Sequence, residues 1–178
     1  MIEVYDNFLG LREFADLQEY YTGDNCNWRL NPRIVFPWDE DGLDNYQFTH
    51  TVYRNGALED YADDGWKYVG SVFSKLTDST KHPVKVILRV KANLRPRTSE
   101  VQVSSYHQDF ADVFGDTKIP YYSAIYYVNT CDGYTEFESG EKVESVANRL
   151  LLFNGDQNHR GSSCTDAKQR IVINFNYI

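Results

Sequence analysis

An imidazole and a carboxylate stand two residues apart in the stretch Tyr106-His107-Gln108-Asp109. In an extended segment, positions i and i+2 project to the same side. His107 and Asp109 therefore face one way, and a third imidazole from a distant strand would complete a facial metal site with open positions left over. His159 is the candidate. It follows an apolar run, Leu150-Leu151-Leu152-Phe153, and a Gly-containing turn, Asn154-Gly155-Asp156-Gln157-Asn158, so a buried strand and a turn can deliver it. Eleven residues after His159, Arg170 opens the last strand pattern. Ile171, Ile173, Phe175 and Tyr177 form its apolar face, and Arg170, Val172, Asn174 and Asn176 form the other. A mixed polar face of this kind lines a ligand cavity or meets solvent. A guanidinium just inside a barrel is costly unless it meets a carboxylate, which its planar fork matches bidentately. His50 and His82 have no supporting partners in the sequence and are expected at the surface, and Arg160 is expected as a rim charge.

Two helices and a run of short strands must position these residues. Residues 2–5 predict a strand. Leu11, Phe14, Leu17 and Tyr21 recur at spacings of three and four and predict a helix over 11–21 with one buried stripe. A second helix is expected over 58–76, stopped by Asp78-Ser79-Thr80 and His82-Pro83. Strands are then expected over 84–94, 101–106, 121–128, 135–138, 143–146, 150–153 and 170–177. In the first of these, Val84, Val86, Leu88 and Val90 point one way, and Lys85, Ile87, Arg89 and Lys91 the other. The order predicts an α+β chain: a β-sandwich or jelly-roll barrel backed by N-terminal helices. Residues 26–54 are the least regular part. The run Phe36-Pro37-Trp38-Asp39-Glu40-Asp41-Gly42 reads as a loop that could be a substrate lid, and its rings could equally cap the core.

Composition narrows the partners. At 178 residues the chain is expected to form a single domain, 1–178, able to bury a core without disulfide staples. A formal charge of -8 repels phosphate backbones and disfavours nucleic acid. Lys85, Arg89, Lys91, Arg95 and Arg97 make one basic strip, expected to be solvated strand-face charges. Three cysteines, Cys26, Cys131 and Cys164, form neither a disulfide framework nor a zinc motif. No apolar run reaches a membrane-span length and the N-terminus lacks a signal pattern, so a soluble, cytoplasmic protein is expected.

The ordered set of motifs resembles the Fe(II)/2-oxoglutarate-dependent oxygenases, and within them the prolyl 4-hydroxylase-like branch. Ile2-Glu3-Val4-Tyr5-Asp6-Asn7-Phe8-Leu9 is similar to the family's lead-in strand, and His107-Gln108-Asp109 to its H-x-D motif. Ala124-Ile125-Tyr126-Tyr127-Val128-Asn129 is similar to its "YLN" strand, and Gly133-Tyr134-Thr135-Glu136-Phe137 to its "G-x-T-x-F" segment. Leu151-Leu152-Phe153, His159-Arg160 and Arg170-Ile171-Val172-Ile173 resemble its closing motif. The resemblance implies a double-stranded β-helix, a cupin-like barrel. It implies Fe(II) held by His107, Asp109 and His159, and 2-oxoglutarate held by Arg170 with Tyr127. Asn93 stands near where the family often has a cofactor-binding tyrosine. The implied reaction uses O2 to hydroxylate a C–H bond, in this branch of a peptidyl residue such as proline, with release of succinate and CO2. A small-molecule substrate stays open, as does a non-oxygenase cupin-like metal- or sugar-binding barrel, which would not need Arg170. The interval around 110–119 looks longer than the family's and could shape the substrate entrance.

Overall fold

The computed structural model describes residues 1–35, 46–59, 65–110 and 119–178. The chain opens with β1 (Ile2–Tyr5) and α1 (Leu11–Thr22), followed by β2 (Arg29–Asn31), β3 (Gln47–Arg54) and β4 (Ala57–Leu58). Helix α2 (Gly65–Ser79) leads to β5 (Ile87–Pro96). The rest is strand: β6 (Tyr122–Tyr127), β7 (Tyr134–Phe137), β8 (Lys142–Glu144), β9 (Arg149–Asn154), β10 (His159–Gly161) and β11 (Gln169–Tyr177).

Period-two alternation sorts these strands into two sheets. The larger runs β1-β9-β6-β11-β5-β3-β2, with β4 paired to β3, and the smaller runs β10-β7-β8. Their described pairings are all antiparallel. On one face of the large sheet, Ile171, Ile173, Phe175 and Tyr177 of β11 are buried with Leu17, Tyr20 and Tyr21 of α1 and Val69, Val72, Phe73 and Leu76 of α2. Phe73 meets Phe175 edge-on, with centroids 5.0 Å apart. On the other face, Ile125, Tyr127, Leu151, Phe153 and Val172 pack with Phe137 and Val143 of the small sheet. Burying both faces makes β6, β9 and β11 the least solvated part of the sheet, which suits them to hold fixed polar groups inside. The architecture is mostly antiparallel sheet with two helices, consistent with a jelly-roll. Among the described residues, no strand pairing closes the two sheets into a barrel.

Several expectations need correction. Leu11 is 85% exposed, whereas Leu17 and Tyr21 are buried and Phe14 packs on the core as expected, joined by Tyr20. The second helix begins at Gly65, not residue 58. Asn55 (φ 55°) and Gly56 (φ 83°) both lie in the left-handed region, the pairing a tight hairpin turn requires, so Leu58 pairs with Tyr53 as strand. Where β5 pairs with the Asn176/Tyr177 end of β11, a register shift leaves Leu88 as an extra residue and breaks the predicted alternation: Val86, just before β5, is exposed and Ile87 packs on the core. Residues 101–106 form no continuous strand; the segment touches β10 through two isolated bridges, Val103 to Ser162 and His107 to His159. His50 is fully buried, not on the surface. It sits on the helix-facing side of β3 beside the rings of Tyr20, Tyr21 and Trp28, with Nδ1 3.1 Å from Asn27 O. Within 26–54, Trp28 and Phe48 pack against the core, whereas the proposed lid at 36–42 lies outside the described residues. No described helix is long and apolar enough to cross a membrane, and no disulfide joins the buried Cys26, Cys131 and Cys164.

Candidate metal centre and its cavity

The site is built on the bridge between the 101–107 segment and the start of β10. His107 and His159 exchange backbone hydrogen bonds, each N–H donating to the other's carbonyl at 3.0 Å. That pairing sets the two imidazoles side by side, with centroids 4.7 Å apart. Asp109 follows just beyond the bridge, in a turn, and its carboxylate swings to the same spot. One ligand atom from each of His107, Asp109 and His159 lies within 4.8 Å of the others.

Each of the three is held by a second group. His107 Nδ1 lies 3.1 Å from Ser105 O, and His159 Nδ1 3.2 Å from Gln157 O. A carbonyl only accepts, so these contacts place the proton on Nδ1 and leave Nε2 as the lone-pair donor. Asp109 Oδ1 accepts from Arg89 Nη2 at 2.6 Å. Its Oδ2 accepts from Asn176 Nδ2 at 2.8 Å and from Ser123 Oγ at 3.1 Å. Burial favours the neutral carboxyl, but Arg89, the two imidazoles and the Asn176 hydrogen bond outweigh it and hold Asp109 well below the usual carboxylate range. Burial pushes the His159 imidazole down to about 4, opposed in part by Asp109, so it is neutral near pH 7. Two imidazoles that present Nε2 and one ionised carboxylate on one wall of a cavity fit a divalent metal of the Fe(II) class.

Arg170 lies in the same cavity and is 4% exposed. Its Nε donates to Ser145 Oγ at 2.7 Å, Nη2 to Thr135 Oγ1 at 3.1 Å and Nη1 to Ser162 O at 3.4 Å. All of these partners are neutral. Among the described residues no carboxylate pairs with it. Burial lowers its pKa, yet a guanidinium stays charged across the working range. Such a buried positive charge is expensive without an anion, and a dicarboxylate reaching in from the cavity would supply one. The residues present therefore fit 2-oxoglutarate as well as metal.

The other expected site residues fall as follows. Tyr127 stands behind Arg170: its ring is 5.6 Å from the guanidinium carbon, and its hydroxyl donates to Thr135 Oγ1 at 2.9 Å. Thr135 is the group of this pair that reaches the cavity wall. Asn93 lines the cavity, and its Oδ1 is buried without a hydrogen-bond partner. Arg160 is taken up by Glu136 at 2.6 Å and lies over the Tyr106 ring. Part of the strip expected to be solvated is not: Arg89 binds Asp109, Lys91 and Arg95 line the cavity, and Arg95 is 6% exposed. Sequence reading missed Arg89, Ser123, Asn176, Thr135 and Ser145. The alternation Arg89, Lys91, Asn93, Arg95 opposite Val90, Ala92, Leu94 was the available signal for an inward polar face.

No protein-family model and no curated protein sequence matches the chain. Solved structures do match in fold. A prolyl hydroxylase in complex with a hypoxia inducible factor oxygen degradation domain peptide fragment, from Trichoplax adhaerens, aligns with TM-score 0.62 at 15% identity, covering 99% of this chain and 83% of that one. A 2OG-Fe(II) oxygenase family oxidoreductase from Burkholderia pseudomallei aligns with TM-score 0.66 at 8% identity, covering 99% and 84%. HygX from Streptomyces hygroscopicus, with nickel and 2-oxoglutarate bound, aligns with TM-score 0.57 at 14% identity, covering 99% and 82%. At these identities the likeness establishes a fold shared with 2OG-Fe(II) oxygenases, prolyl hydroxylases among them.

Proposed function

We propose that the chain is a single-domain Fe(II)- and 2-oxoglutarate-dependent dioxygenase that hydroxylates a C–H bond, releasing succinate and CO2. One observation carries the reading: Arg170, buried without a carboxylate partner among the described residues, shares a cavity with His107, Asp109 and His159. A metal- or sugar-binding barrel without oxygenase chemistry would keep the histidines but has no use for that guanidinium. His107, Asp109 and His159 would hold the iron. Arg170 would grip the far carboxylate of 2-oxoglutarate, with Thr135 beside it and Tyr127 bracing Thr135. Asn93 would meet the cosubstrate through its Nδ2 along the β5 wall, leaving its buried Oδ1 open to a donor from another ligand. Iron and 2-oxoglutarate together supply the oxidising power when bound. The chain's own part is orientation and shelter: Arg89, Ser123 and Asn176 fix the Asp109 carboxylate, and Ile125 and Val172 line the cavity with apolar surface that limits water. A peptidyl residue such as proline is the substrate we favour, with a small molecule as the second reading: one fold relative was solved with a peptide and HygX with hygromycin B.

Anaerobic addition of Fe(II) and 2-oxoglutarate should give the weak visible charge-transfer band of chelated cosubstrate, and O2 should then release succinate. Arg170→Ala should weaken 2-oxoglutarate binding by about 100-fold, the loss expected for a charge-assisted bidentate contact, with metal affinity unchanged. Absence of the band in the wild type, or an undiminished band in His107→Ala, would sink the proposal.

A further inference from the structure

Arg170 and the metal ligands do not use up the polar groups of the cavity. Along its β5 wall stand Lys91 and Asn93, and Asn174 of β11 lies directly across from Lys91 in the strand register. None of the three side chains makes a hydrogen bond or ion pair among the described residues, and Oδ1 of both asparagines is sealed from solvent without a partner. Unpaired buried polar atoms are rare because each forfeits its hydration for nothing. Two such atoms beside the unpaired ammonium of half-buried Lys91, all in one cavity, point to a ligand.

The charges say which kind. Asp109 is the one carboxylate among the described residues of the cavity wall, and Arg89 already holds it at 2.6 Å. Lys91 thus has no countercharge of its own, in a chain whose net charge is -8. Four residues along β11, about 13 Å at strand rise, separate Arg170 from Asn174, so the two cations are not a pair for one carboxylate. We propose that Lys91, flanked by Asn93 and Asn174, receives a carboxylate of the substrate that is oxidised, while the amide oxygens take an N–H from the same molecule. A carboxylate joined to an N–H donor is the chemistry of an amino acid, a peptide C-terminus or an acidic residue in a peptide. This rests on the dioxygenase reading and narrows its substrate to the anionic ones.

The test uses Zn(II)-loaded protein with ε-13C-lysine, with and without saturating 2-oxoglutarate. The Lys91 resonance is assigned by its loss in Lys91→Met. Acetate, the minimal carboxylate, should shift that resonance saturably, and acetamide, its neutral analogue, should not. In parallel, Lys91→Met should bind 2-oxoglutarate within about twofold of wild type while Arg170→Ala does not, the difference expected when only Arg170 forms the charge-assisted contact. The proposal is overturned by no saturable acetate shift, or by equal shifts from acetate and acetamide. It is equally overturned if Lys91→Met loses 2-oxoglutarate as Arg170→Ala does, since the anion at Lys91 is then the cosubstrate. Failure of wild type to bind 2-oxoglutarate at all counts against the dioxygenase reading alone, because the acetate arm is still read on the Zn(II) protein.

Discussion

Asp109 is the most constrained residue of the site. Both its oxygens accept hydrogen bonds, and the donors are themselves linked: Asn176 Oδ1 accepts from Arg89 Nε at 3.1 Å, and Asn176 Nδ2 also donates to Ser123 Oγ at 2.9 Å. The carboxylate is therefore oriented before any metal arrives, and Asn176 is the hinge of the arrangement. Asn176→Ala removes one bond to Asp109 and frees Arg89 Nε at once. Loss of such an outer partner lowers metal affinity by roughly 10–100-fold. A Co(II) or Fe(II) titration of Asn176→Ala should show that loss, with Ser123→Ala showing a smaller one. Unchanged affinity in Asn176→Ala would mean that the metal alone orients the carboxylate. The candidate ligands His107 and Asp109 were legible because their types and i, i+2 spacing are local, and His159 because an apolar strand and a Gly-containing turn precede it. Arg89 lies 20 residues before Asp109 and Asn176 lies 67 after it, and no local pattern links such distant positions.

Elements hold Arg170 as firmly as residues hold Asp109. The turn into β7 passes so close to the root of Arg170 that a Cβ on Gly133 would come 2.5 Å from its Cδ and 2.7 Å from Ser163 O. Neither contact is tolerable, and the backbone oxygen cannot move alone. Gly133→Ala should therefore push Arg170 off its Ser145 and Thr135 partners. We expect more than about tenfold weaker 2-oxoglutarate binding and a stability loss of about 1–3 kcal/mol, the usual range for overpacking, with metal affinity preserved. Calorimetric titration of each ligand in turn reads both. If 2-oxoglutarate binding holds while stability falls, Arg170 is not positioned by this turn. The same distinction explains what the sequence disclosed at this scale. The last strand was legible because its alternation is clean and both faces are used. The start of α2 was not, because Asn55-Gly56 builds a hairpin turn whose strand, β4, is two residues long and shows no period. The kink in β5 was hidden too, since the register shift between Asn176 and Tyr177 arises from pairing with another strand and leaves no mark in the local pattern.

At the level of the whole molecule, function and stability pull in opposite directions at Lys91. Burial, reinforced by Arg89, lowers its pKa from the ordinary 10.5 to about 8, against the partial pull of Asp109. The unfolded chain leaves that lysine near 10.5, so between pH 8 and 10.5 the unfolded state binds more protons than the folded one. Stability contributed by this site therefore rises with pH across that window, and below pH 8 the full penalty is present. A shift of this size corresponds to about 3 kcal/mol, a substantial share of the 5–15 kcal/mol typical of a folded domain. Replacing the ammonium by an apolar chain of similar length removes the penalty. Lys91→Met should raise unfolding free energy by about 1–3 kcal/mol at pH 7, allowing for relaxation around a buried charge, and the gain over wild type should shrink as the pH climbs from 8 toward 10.5. Denaturant unfolding of both proteins at pH 7, 9 and 10.5 measures it. A constant difference across that range would show that Lys91 keeps its ordinary pKa. A gain that fades with pH, together with loss of the acetate response in the same variant, identifies a cation retained at the expense of stability because an anion binds it.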